Sequence, residues 1–91
     1  SVGNPEEITD ELWNNYYSSI SQCNTMIQVI SQNTDVPKEK LLSIDGEARF
    51  LRAFNYFQLV RWFGEVPLLT EENQTNAAQE PQSTIKFMIR L

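Results

Sequence analysis

GEARFLRAFNYFQLVRWFGEVPLL, residues 46–69, is the stretch whose reading decides the fold. Between Ala48 and Phe63 its polar positions are Arg49, Arg52, Asn55, Gln58 and Arg61, each three residues after the last. An α-helix turns once in about 3.6 residues, so each polar group lies about 60° back from its predecessor. The polar line therefore winds around the helix instead of marking one solvated face. Ala48, Phe50, Leu51, Ala53, Phe54, Tyr56, Phe57, Leu59, Val60, Trp62 and Phe63 fill the surface between. A helix with apolar groups on nearly every side belongs inside a larger body. A single antiparallel partner would cover only one side of it.

That partner is legible upstream. Leu12, Trp13, Tyr16, Tyr17, Ile20, Cys23, Met26, Ile27 and Ile30 keep spacings of three and four residues, which predicts a helix with a broad apolar stripe over about 9–32. Two starts compete. Asn4-Pro5-Glu6-Glu7 offers an N-cap, a proline at the first helical position and acids at the positive end of the helix dipole. Thr9 offers a cap with Ile8 stapled against Trp13, and is the start preferred on sequence. Asn33-Thr34-Asp35 is a short polar break, and Asp35 followed by Pro37 signals a second helix over about 37–63. A connection this short returns the second helix antiparallel beside the first. Within it, Asp45 and Arg49 are spaced for a surface ion pair. Gly46 reads as a point of close helix approach, with a kink as the lesser alternative.

Gly64 supplies the stop and Pro67 prevents resumption, so residues 64–69 should be an extended apolar exit laid back on the hairpin. A polar loop follows over 70–83. The third element, 84–91, is open: Ile85, Met88 and Ile89 fit a helix, whereas Ile85, Phe87, Ile89 and Leu91 alternate as a strand does.

Composition bounds the chemistry. The 91 residues carry a net charge of −5, with no Lys or Arg before Lys38. An acidic chain without a basic patch argues against nucleic acid, whose phosphates are bound through Lys and Arg. Cys23 is the only cysteine, so an intrachain disulfide and a multi-cysteine metal cage are both impossible, and its place in a helical stripe reads as a small buried apolar residue. No apolar run reaches the roughly 20 residues that span a bilayer, since Arg49, Arg52 and Arg61 interrupt the best candidate. The chain opens at Ser1 without an initiator Met or an apolar signal segment, which suggests an export signal cut away or left out.

The run GEARFLRA (46–53), the pair Tyr56-Phe57 and the exit LVRWFGEVPLL (59–69) resemble the SusD/RagB family of glycan-binding outer-membrane lipoproteins. Trp13, Tyr16 or Tyr17, Ile20, Asn24 and Ile27 look like that family's preceding helix. The resemblance implies an all-α fold, an antiparallel helical hairpin of a tetratricopeptide-like superhelix. It implies further that residues 1–91 are part of one larger helical domain, because family members are several times longer. It also favours a helix start in the last ten residues, although TIKFMIRL departs from the motif expected there. Finally, it implies a surface-exposed lipoprotein of the cell outer membrane, held by a lipid anchor absent from this chain. Such a protein binds oligosaccharide and works with a SusC-like TonB-dependent transporter. The tetratricopeptide repeat signal taken alone is weak, because these helices are longer than its roughly 34-residue unit allows.

No catalytic, cofactor or metal residue is expected. Histidine is absent, which removes the commonest general base and the commonest zinc ligand. Glu6-Glu7, Asp10-Glu11 and Glu71-Glu72 are adjacent acids, and neighbours on a helix point about 100° apart instead of flanking a substrate. Trp13, Tyr16, Tyr17, Tyr56 and Trp62 could stack on sugar rings, yet their helical spacing makes core packing the default. Arg49 and Arg52 should pair with carboxylates or helix-end carbonyls. Asn73-Gln74-Thr75 matches the N-glycosylation pattern by coincidence, given the bacterial origin implied. None of the family's ligand-binding residues has a matching motif here, so the ligand-binding residues stay unassigned. The leading expectation is a non-catalytic glycan-binding component of which these residues are scaffold. The alternative is a helical protein-protein adaptor without a sugar role.

Overall fold

The computed structural model describes residues 4–74 and 84–85. Helix α1 runs Pro5–Gln32 and helix α2 Lys38–Phe63, packed as an antiparallel hairpin. A two-residue strand β1, Val66–Pro67, pairs antiparallel with β2, Thr84–Ile85, in the register Val66 to Ile85 and Pro67 to Thr84. The chain is thus an all-α hairpin with a short ribbon across one end.

The capping chemistry corrects the preferred start at Thr9. Asn4 Oδ1 accepts from the Glu7 amide at 2.9 Å and Pro5 takes the first helical position, where its missing N–H costs nothing. Glu6 and Glu7 complete the acidic first turn, while the Thr9 hydroxyl is spent on the Pro5 carbonyl. The break between the helices also differs from expectation. Asn33, not Asp35, organises it: Asn33 Oδ1 accepts from the amides of Asp35 (2.9 Å) and Val36 (3.0 Å), and α2 starts after Pro37 with no side-chain cap. At the far end Gly64 has φ 78° and its amide reaches the Val60 carbonyl at 2.9 Å, closing α2 as the sequence indicated.

The core lies between the helices and under the exit. Ile20, Ile27, Leu59 and Val66 are at most 1% exposed, each contributing about 1.5–3 kcal/mol by burial. Trp13, Tyr16, Tyr17, Phe63, Leu68 and Ile85 pack around them. Cys23 is buried as a small apolar residue, and burial pushes its thiol pKa up. Met26 lies in the predicted stripe of α1 but is 47% exposed.

Gly46 is not a close-approach site. A Cβ built there meets nothing within 4 Å, and nothing in the hairpin explains the glycine. The open choice for the third element resolves in part: Thr84 and Ile85 are a strand, with Ile85 against the core and the Thr84 hydroxyl donating to Glu65 at 2.5 Å. The alternatives over 86–91 and the polar loop over 75–83 lie outside the described residues.

Candidate functional site

Two surfaces concentrate the chain's chemistry: a buried polar clasp and an exposed aromatic face. The clasp grows from the winding polar line of α2. Arg49 and Arg61 fall outside, whereas Arg52 and Asn55 turn inward. Asn55 bonds within its own helix, Nδ2 to the Leu51 carbonyl at 2.8 Å. Arg52 instead meets Asn24, which α1 presents one helical turn from Ile20 and Ile27 and which is fully buried.

Arg52 Nη1 donates to Asn24 Oδ1 at 2.9 Å and also to the Glu71 carboxylate. Asn24 Nδ2 donates to the Leu69 carbonyl at 3.2 Å and to Gln74 Oε1 at 3.0 Å. The Tyr56 hydroxyl donates to the Leu69 carbonyl (2.7 Å) and accepts from the Leu69 amide (2.6 Å). The Tyr17 hydroxyl donates to the Pro67 carbonyl at 2.5 Å. Extended backbone at 67–69, which pairs with β2 only at its start, is thereby satisfied by side chains of both helices. Burial raises the pKa of both phenols, so they remain donors near neutrality. The Arg52 hydrogen bond holds the Glu71 carboxyl below its ordinary value, against the opposing effect of burial.

The aromatic candidates separate. Trp13 lies tilted at 4.9 Å from Tyr17 and edge-on at 5.1 Å to Phe63, and Tyr17 meets Tyr56 edge-on at 6.2 Å. Tyr16 joins the same layer. These four are core, as their spacing indicated. Trp62 is not: it is 62% exposed. Phe50 (72%), Leu51 (51%) and Phe54 (49%) are exposed with it, and the Arg61 guanidinium lies 5.6 Å over the exposed Phe57 ring. Phe50, Phe54, Phe57 and Arg61 follow at four, three and four residues, a second helical stripe on the side of α2 turned away from α1.

Other singled-out residues take plain roles. Arg49 pairs with Asp45 at 2.8 Å on the surface. Glu6, Glu7, Asp10 and Glu11 are exposed along α1. Asn73 staples its own turn, accepting from the Thr70 amide at 2.7 Å and donating to the Leu68 carbonyl at 3.1 Å. Thr75, the third residue of that glycosylation pattern, lies outside the described residues. Among the described residues no cluster of three or more His, Cys, Asp or Glu is placed to hold a metal ion, and no helix is long and apolar enough to cross a membrane. Asn24 entered the sequence reading only through the family-like helix pattern and Glu71 only as one of two adjacent acids, because an Asn in a helix and an acid in a polar loop carry no signal of burial.

The family model described as starch-binding and associating with the outer membrane matches residues 3–89. The chain belongs to the SusD-like family. SusD-like protein P38 of Formosa agariphila is 36% identical over 90 residues, covering 96% of this chain and 17% of that protein. SusD-like protein P25 of the same organism is 28% identical over 61 residues, covering 67% and 12% respectively. The chain thus spans less than a fifth of the length of these SusD-like relatives. No solved structure matches it significantly.

Proposed function

We propose that this hairpin is a scaffold element of a non-catalytic glycan-binding protein of the outer membrane. The family match over nearly the whole chain supports a glycan-binding role. The distribution of side chains supports scaffold over ligand site. Four of the five aromatic residues suited to sugar stacking are committed to the core, and the half-buried Arg52 is committed to Glu71 and Asn24. The observation that carries the reading is the aromatic stripe of Phe50, Phe54 and Phe57, exposed here with Trp62 beside it on a helix whose other side is already packed. Isolated helical surfaces do not keep such a stripe in water, so it is covered by further parts of a longer SusD-like polypeptide. Oligosaccharide bound elsewhere on that polypeptide would pass to a SusC-like TonB-dependent transporter, with a lipid anchor tethering the protein at the cell surface.

Isothermal titration against a glycan panel tests this reading, comparing the 91-residue chain with a full-length SusD-like protein that carries it. Glycan heat from the long protein alone is the expected result. A long protein that binds no glycan but captures a peptide or protein through this stripe would overturn the sugar role in favour of a helical adaptor. Equal glycan affinity in the isolated chain would overturn the scaffold role.

A further inference from the structure

Among the described residues, the turn Thr70–Gln74 is tied to the helices by bonds of two kinds. Inside the turn, the amides of Asn73 and Gln74 reach the Thr70 carbonyl, and Asn73 staples Thr70 to Leu68. Toward the helices, the described side-chain bonds of the turn are the Arg52 to Glu71 ion pair and the neutral bond from Asn24 to Gln74. The residues just before it are held differently, Leu69 by the Tyr56 hydroxyl and Val66 by full burial. Arg52 therefore bridges three elements: it links α2 to α1 through Asn24 and links both to the turn through Glu71.

From this arrangement we infer that the turn Thr70–Gln74 is an acid-released latch, held against both helices while the Glu71 carboxylate is ionised and let go when it is protonated. The order of bonds makes the release local. Protonating Glu71 removes the anion from Arg52 but leaves the Arg52 to Asn24 bond between the helices, and leaves Val66, Leu59, Ile20 and Ile27 packed. Arg52 and Glu71 are 15% and 17% exposed at their side chains, so each loses a partner where water replaces it poorly.

The charged and titratable groups around Glu71 agree on the direction. Arg52 and Arg49 of α2 both favour its anion. Helix α1 contributes the neutral amide of Asn24, bonded to the same Arg52; the Cys23 thiol and the Tyr56 phenol, which also feel Arg52, both have pKa values raised by burial. Glu72, beside it in the turn, is exposed. Because the folded carboxyl sits below its ordinary value of 4.5, the latch's contribution is present above that value and is lost as pH falls through the lower folded one.

Hydrogen exchange of the full 91-residue chain, corrected for intrinsic rates and followed by mass spectrometry beside far-ultraviolet circular dichroism, tests the latch. As pH falls from 7 to well below 4.5, exchange over residues 70–74 should accelerate about tenfold or more while helical ellipticity holds. Glu71→Gln should show the fast exchange already at pH 7, with little further change on acidification. Unchanged exchange of the turn in acid would overturn the latch, as would helices that melt with it, or a Glu71→Gln variant that keeps the wild-type pH response.

Discussion

At Arg52 one side chain settles a question that its position in the sequence could only pose. A polar group every third residue on an apolar helix must at some point face inward, and Arg52 does so against Asn24 and Glu71. Its methylenes and its charge then make separable contributions. Arg52→Ala removes both and should cost about 2–3 kcal/mol in a denaturant titration. Arg52→Met keeps the stem and should recover about 1 kcal/mol of that. Equal losses in the two variants would show that the charge alone matters. Gly46 is the opposite case, a residue with no visible employment. Its position is helical and open, so Gly46→Ala should raise the stability of the 91-residue chain by about 0.5–1 kcal/mol, read from the shift in the urea midpoint at constant slope. A destabilised Ala variant would indicate that the glycine meets something the described residues do not include.

The exit strand is the element with the least secondary structure of its own and the most side-chain support. Tyr17→Phe deletes a single donor to the Pro67 carbonyl and should cost about 1 kcal/mol. Tyr56→Phe leaves the Leu69 amide without the Tyr56 hydroxyl and the Leu69 carbonyl with Asn24 alone, so it should cost more, about 1–3 kcal/mol. Thermal unfolding of both variants checks the order, and a Tyr17→Phe loss equal to or above that of Tyr56→Phe would contradict it. Both helices, the Gly64 stop and the return of Val66 onto the hairpin were legible, because periodicity and turn chemistry are local signals. The start of α1 was legible only as a choice between two caps of similar chemistry. What decided it is that Pro5 is pre-organised for a first turn and Asn4 can reach Glu7, while Thr9 bonds backward to Pro5. The clasp was not legible, since it joins residues 24, 52, 71 and 74 across three elements and no local pattern marks that meeting. The strand at Thr84–Ile85 was readable as one of two options, and its partner at Val66–Pro67 tipped the balance.

On the scale of the molecule, the described residues cover helix α2 on one side. Ala48, Tyr56, Leu59 and Val60 are buried against α1 and the exit, whereas Phe50, Leu51, Phe54 and Trp62 face outward. The inward half of the expectation, that one partner helix covers one side, is met inside this chain. The outward half concerns the further length that its relatives possess, of which this chain spans 17% in one case and 12% in the other. The two halves predict different energetics for the same substitutions. In the isolated chain Phe54 and Trp62 are 49% and 62% exposed, so Phe54→Ala and Trp62→Ala lose only part of a side chain's burial and gain the best helix former, and each should cost about 1 kcal/mol. In a full-length SusD-like protein carrying the hairpin, the same changes would open cavities in a packed interface and should cost about 3–5 kcal/mol each. Guanidinium titrations of both forms measure that difference directly. If the long protein tolerated Phe54→Ala as well as the short one, the stripe would be free in the longer chain, and the winding polar line of α2 would need another explanation.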